Sequence, residues 1–198
     1  MPQKKASLCR RPTIRRTQLD IQLLGEKVKQ VASHRFLGVK FDDRLDWKTH
    51  VDEMVNSATP RINAIKRLAA KSIWQNPQWI HRIHNSVVNS MWQFGVIAYC
   101  TANLSIWKKI TTCHSRSIKA YCGVPNFVSY ERVCNALGIK DIKTDLLTFG
   151  KKRLCAIAAF SPFGPKIIEN RKLNAAGIYK SPTEVLLDDN EAQILLGT

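Results

Sequence analysis

Polar and apolar positions divide the chain into a short alternating part and a long helical part. Residues 19–23 alternate (Leu-Asp-Ile-Gln-Leu), and residues 27–31 alternate again after Gly25 and Glu26, so the spacing predicts two short strands joined by a turn. Residues 36–41, Phe-Leu-Gly-Val-Lys-Phe, form a brief apolar run bracketed by charge and read as a further, buried strand. The period then changes. Trp47, Val51, Met54, Val55, Ala58, Ile62, Ile65 and Ala69 recur at steps of three and four, the spacing of one face of a long helix. Asp46 stands at its start, where a carboxylate accepts from the free amides of the first turn and meets the positive end of the dipole. Pro60 removes one hydrogen bond inside that helix, and because the apolar register carries through, it predicts a kink rather than a stop.

More helices follow. Asn76-Pro77 opens one with Ile80, Ile83, Val87, Val88, Met91 and Trp92 on its apolar face, ending near Gly95. The next fits residues 103–122, with Leu104, Trp107, Ile110, Ile118 and Tyr121 inward and Lys108, Lys109, Arg116 and Lys119 on its other sides. Gly123 and Pro125 close it. Ser129 caps a short helix that Gly138 stops. Thr144 caps another, in which Leu146, Leu147, Leu154, Ile157 and Ala158 are core candidates and Lys151, Lys152 and Arg153 are exposed. Ser-Pro-Phe-Gly-Pro at 161–165 breaks regular structure, and one short helix is expected near 182–187. The expected fold class is therefore α+β, mainly α: a small N-terminal antiparallel sheet of two or three strands, followed by a helical bundle. The expected domains are a basic segment with short strands at 1–45, a helical domain at 46–160 and a loose acidic tail at 161–198.

Charge changes the picture more than composition does. Thirty-one Lys and Arg against 15 Asp and Glu leave a net charge of +16, a self-repulsion for which the usual compensating partner is a polyanion, nucleic acid first. Residues 1–16 read as a basic arm, whereas 181–198 hold four acids and no base. The 6 cysteines are scattered without a C-x-x-C pair, and no hydrophobic signal sequence precedes them. Free or buried thiols are thus expected in an intracellular protein, nuclear or cytoplasmic and not secreted. The longest apolar stretch, 87–100, is too short for a membrane span.

Candidate chemistry is thin. Asp42-Asp43 and Asp188-Asp189 resemble halves of two-metal sites, but such a site needs another carboxylate from a separate strand. Acids just before a helix need no reason beyond its dipole and the turn, so Asp42 and Asp43 read as structural. His81 and His84 lie at helical spacing without partner ligands nearby in sequence, and His50 is placed to pack over a helix start. No G-x-x-x-x-G-K phosphate loop occurs. Trp74, Trp79 and Trp92 could stack on bases, but packing between helices is the simpler use.

Residues 36–50, F-L-G-V-K-F-D-D-R-L-D-W-K-T-H, closely resemble the L-G-V-x-L-D-x-x-L-x-W-x-x-H signature of non-LTR retrotransposon reverse transcriptases, found where their palm passes into the thumb. Leu37, Gly38, Val39, Asp42, Leu45, Trp47 and His50 match position by position, with Phe41 where that family has leucine or a similar residue. More loosely, 63–68 is similar to the end of their first thumb helix, 118–125 to a later segment ending in a G-x-P turn, and 2–5 to an N-P-x-K-T element late in the palm. The order holds over residues 2–160. Pro60 departs from the family pattern, and the Tyr/Phe-Ala-Asp-Asp catalytic box is absent; it would lie upstream of Met1. The resemblance implies a palm remnant and a thumb-like bundle holding an RNA–DNA or RNA template–primer duplex, possible partner of a separate palm. Magnesium would belong to the missing palm site, so no cofactor, no catalytic residue and no polymerase activity are expected of the chain alone. Arg61, Lys66, Arg67, Lys71, Lys108, Arg116 and Lys119 are the expected phosphate contacts. The alternatives are a stand-alone basic helical nucleic-acid-binding module and an inert, degenerate transposon-derived protein.

Overall fold

The computed structural model describes residues 22–23, 25–27, 31–42, 45–70, 77–162 and 182–187, in a mainly helical α+β arrangement. Two compact units divide the chain, 1–32 and 33–198. In the first, β1 (Gln22–Leu23) pairs antiparallel with β2 (Glu26–Lys27) about Gly25, whose φ of 85° suits glycine. Glu26, expected in the turn, belongs to the second strand. The basic arm 1–16 lies outside the described residues.

The second unit opens on another hairpin, β3 (Ser33–Phe36) and β4 (Val39–Asp42), in the register Phe36↔Val39 and Ser33↔Asp42. Here the apolar run 36–41 departs from expectation: it is not one buried strand but the bend between two. Leu37 and Gly38 sit at φ 47° and 85°, the two positive values that let a two-residue type I′ turn match the twist of its strands. Phe36 and Leu37 consequently face solvent, while Val39 is buried and Phe41, partly buried, packs against the core.

A tight turn joins β4 to α1 (Lys48–Ala69). Asp42 holds it twice: its carbonyl accepts the Leu45 amide at 3.1 Å and its Oδ1 the Asp46 amide at 3.0 Å. Asp46 in turn accepts the Lys48 amide at 2.9 Å. The expected cap is thus displaced by one residue, for the N-cap position itself is Trp47, left-handed at φ 64° and without a side-chain cap. That backbone turn lays the indole edge-on to Phe41, centroids 5.5 Å apart, and buries it. One turn later, His50 Nδ1 accepts the Lys40 amide at 3.3 Å, pinning the hairpin to the helix. Glu53 adds ion pairs to Arg35 and Lys40, contacts worth at most about 1 kcal/mol each at this exposure. Helix α1 continues through Pro60.

From Pro77 the chain is helical to Gln93, as α2 (Pro77–His84), a π-helical turn (Asn85–Asn89) and α3 (Ser90–Gln93). Gly95, at φ 70°, turns it into α4 (Val96–Tyr99). A Cβ on Gly95 would stand 2.9 Å from Val39, and one on Gly38 2.9 Å from the Phe94 ring, so hairpin and helix corner meet through two glycines.

Asn103 caps α5 (Leu104–Cys122) by accepting the Ile106 amide at 3.1 Å, and Gly123 ends it at φ 65°. Leu104 is not inward as expected but 77% exposed, because it lies one turn before Lys108 on the outward face of α5; Ile106 and Trp107 of the same turn are buried. Ser129 and Gly138 bound α6 (Tyr130–Leu137) as the sequence predicts. The cap of α7 (Ile142–Phe160) is Asp141 and not Thr144: its carboxylate accepts the amides of Lys143 and Thr144 at 3.0 and 3.2 Å. Ile157 is 44% exposed, whereas Leu146, Leu154 and Ala158 are buried. A last helix, α8 (Pro182–Leu186), falls where a short one is expected within the acidic tail, and it buries Leu186 and Leu187 with Cys100 and Leu154. The main core lies between α1 and α5, the most extensive helix pairing, with Trp92, Val96, Tyr99 and Leu146 closing it.

Candidate nucleic-acid interface

Helix α5 is apolar on one side only. Ile106, Ile110, Cys113, Ser117, Ile118 and Tyr121 are buried, so the opposite side must carry what is left of the pattern. That side presents Lys108, Thr112 and Arg116, four residues apart, over about 12 Å at 1.5 Å per residue. The three form a ridge, since each lines both of two flanking grooves.

One groove, about 640 Å³, runs between α1 and α5 and adds Lys66, Asn63 and Thr59 from α1 and Lys109 from α5. The other, about 890 Å³, lies between α5 and the α6–α7 region and adds Lys119, Thr111, Ser115 and Lys143. Among the described residues, six cations therefore face two troughs whose one lining carboxylate, Asp52, is paired with Lys109. Lys119 bonds the Asn126 carbonyl at 3.1 Å and holds the loop after α5. Lys66, Lys108, Arg116 and Lys143 make no ion pair among the described residues. Cations beside hydroxyls and amides along a groove are the donors that phosphate oxygens take, and they carry no base-edge pattern.

Of the seven expected contacts, Lys66, Lys108, Arg116 and Lys119 come together here. Arg61 is engaged elsewhere: its guanidinium donates to the Val87 carbonyl at 3.2 Å, inside the π-helical turn. Arg67 is exposed but lines neither groove, and Lys71 lies outside the described residues. Lys143 was missed because a helix start placed at Thr144 leaves it in a loop, whereas the Asp141 cap sets it on the first turn of α7. None of the seven signature residues lines either groove. Of the tryptophans, Trp92 is fully buried and Trp79 is exposed under the Arg82 guanidinium, 5.2 Å from its centroid. Trp74, Asp43, Asp188 and Asp189 lie outside the described residues.

Among the described residues no helix is long and apolar enough to cross a membrane. Comparison with protein-family models, with curated proteins and with solved structures gives no significant match.

Proposed function

We propose that this chain grips nucleic acid by its phosphates, in the manner of a reverse-transcriptase thumb, and leaves nucleotide chemistry to carboxylates it does not itself carry. The observation that carries the reading is the Lys108–Thr112–Arg116 ridge with cations on both flanks. A duplex backbone laid across it would meet Lys66 and Lys109 on one side and Lys119 and Lys143 on the other. Affinity then comes from counterion release and is indifferent to sequence. The signature at 36–50 supports the retrotransposon origin, and its residues here act as fasteners: turn, helix start and hairpin anchor. The gripped ligand under this reading is an RNA–DNA or RNA template–primer duplex.

Titration of the chain against an RNA–DNA hybrid over a salt series tests this. Each phosphate neutralised contributes about 0.9 to the slope of log K against log salt, so Lys108→Gln and Arg116→Gln should each lower it by about 1 and weaken all sequences alike. Binding that ignores salt, or variants that bind as the parent does, would sink the proposal. A stand-alone binding module is the second reading, favoured because residues 33–198 form one compact unit with their own core. It requires a strong preference for one nucleic-acid form, which the same titration reads.

A further inference from the structure

On the other side of Tyr130 from the larger groove lies a polar cavity of about 430 Å³. One wall is the continuous helix 77–93, which contributes His81, Asn85, Asn89 and Gln93. In a regular helix, residues four apart drift by about 40° per step, so these four would fan across about 120°. The π-helical turn at Asn85–Asn89 is wider and takes up part of that drift, keeping all four on one wall. Such turns are uncommon and concentrate at functional sites.

The wall is wired. Asn89 Nδ2 donates to Asn85 Oδ1 at 2.7 Å, and Asn85 Nδ2 reaches His81 Nε2 at 3.0 Å. His81 Nε2 must then accept, so Nδ1 carries the proton toward the Tyr121 hydroxyl, 2.8 Å away. At the other end Asn89 Oδ1 is buried without a partner, on a residue only 7% exposed. Opposite, the Tyr130 hydroxyl accepts the Ile142 amide at 3.0 Å and bonds His114 Nδ1 at 2.8 Å. His114 Nε2, on a residue 2% exposed, is likewise buried without a partner. Two lining residues, Asn89 and His114, thus each keep one buried polar atom without a partner. Gln93, Asp145 and Lys140 add an amide, a carboxylate and an ammonium, whose charges offset each other.

We infer that this cavity receives a single unpaired nucleobase. A base edge offers neighbouring donors and acceptors in one plane, the complement of the asparagine wall, the Gln93 amide and the Asp145 carboxylate that line the cavity, and a flat ring for the His81 imidazole. The volume falls within the range of small-molecule sites. The neighbouring groove supplies the rest of the nucleotide's chemistry: Tyr130 lines that groove while bonding the cavity's His114, and Lys143 lines it beside Ile142 of the cavity. The inference rests on the phosphate-gripping reading for a base carried on a strand. A base from a free nucleoside would satisfy the same atoms.

Three ligands separate these cases: a fully paired RNA–DNA duplex, the same duplex with one unpaired nucleotide, and uncharged nucleosides followed by ligand-observed NMR. The unpaired nucleotide should improve binding about tenfold, the equivalent of one stacked and bonded base. Asn89→Leu and Gln93→Leu should each abolish that gain while paired-duplex affinity and its salt slope stay unchanged. Gln93 is only half-buried, so its variant keeps the test valid if Asn89→Leu unfolds. Nucleoside saturation that both variants remove also supports the site and assigns it to free ligand as well; a gain without nucleoside binding assigns it to strands. No gain and no nucleoside binding overturn the cavity's role, with salt-sensitive duplex binding leaving the groove reading intact. Nucleoside binding without salt-sensitive duplex binding overturns the groove reading alone.

Discussion

Leu37 and Gly38 illustrate how much one turn decides. Leu37 holds a left-handed conformation that a branched, Cβ-bearing residue adopts at a cost, and it is 80% exposed, so it repays nothing in burial. Asparagine tolerates that conformation and is favoured at the first position of such turns, so Leu37→Asn should stabilise the chain by about 0.5–1 kcal/mol. Gly38→Ala should destabilise it by about 1–3 kcal/mol, since φ is 85° and the added carbon would meet the Phe94 ring at 2.9 Å. Urea midpoints measured at constant m-value read both. Neither residue's role was visible in an apolar run that reads as a strand. Gly38 within it was the one sign of a turn, and it outweighs the hydrophobicity around it because no other residue accepts that backbone cheaply.

At the scale of the element, the π-helical turn is the feature that periodicity does not foresee. Ile80, Ile83, Val87, Val88, Met91 and Trp92 suggest one regular helix, yet Val87 ends 36% exposed while Asn89 is buried, the signature of a register widened by one residue. Arg61 clamps that turn through the Val87 carbonyl. Arg61→Ala should therefore cost about 0.5–1.5 kcal/mol in denaturant unfolding, the net worth of one hydrogen bond, and leave the salt slope of nucleic-acid binding unchanged. A loss in the slope as large as that of Arg116→Gln would return Arg61 to the interface. The helix ends were legible wherever the stop is local: Ser129, Gly138, Asn103 and Gly123 all act as their residue types dictate. Asp141 took the cap of α7 from Thr144 because a carboxylate one turn earlier reaches two free amides at once.

Across the whole molecule, the burial of histidine sets the response to acid. His81, His84 and His114 cluster with ring centroids 6.4 Å apart for the first pair and 5.3 Å for the second. Burial, reinforced by the neighbouring imidazoles, pushes His84 down to about 4 and His114 to about 3; burial also lowers His50 and His81, with Asp145 opposing it at His81. These folded values lie below the unfolded value near 6.5, so the unfolded chain binds protons that the folded chain refuses. Stability is then complete above pH 6.5 and falls as pH drops toward 3 to 4. Between pH 7 and 5 the loss should be about 2 kcal/mol for each of His84 and His114. His84 is fully buried and the Asn85 amide beside its ring is already bonded to His81 and Asn89, so His84→Leu should cost little at pH 7 and lose a large part of the acid dependence. Thermal melts at the two pH values read both outcomes, and a parent melt independent of pH would contradict them.

The sequence by itself determined the mainly helical class, the long α1 face, the glycine stops and the Ser129 cap, and a net charge of +16. These follow from local rules: periodicity, capping chemistry and formal charge act over a few residues and need no knowledge of neighbours in space. Only the tertiary structure decided which cations share a surface. Lys66 and Arg116 are 50 positions apart in sequence and meet across one groove because α1 and α5 pack together, whereas Arg61, five residues from Lys66, faces another helix. The polar cavity was likewise hidden, since its walls come from three separated stretches and its one local sign is a helical turn whose width no sequence period records.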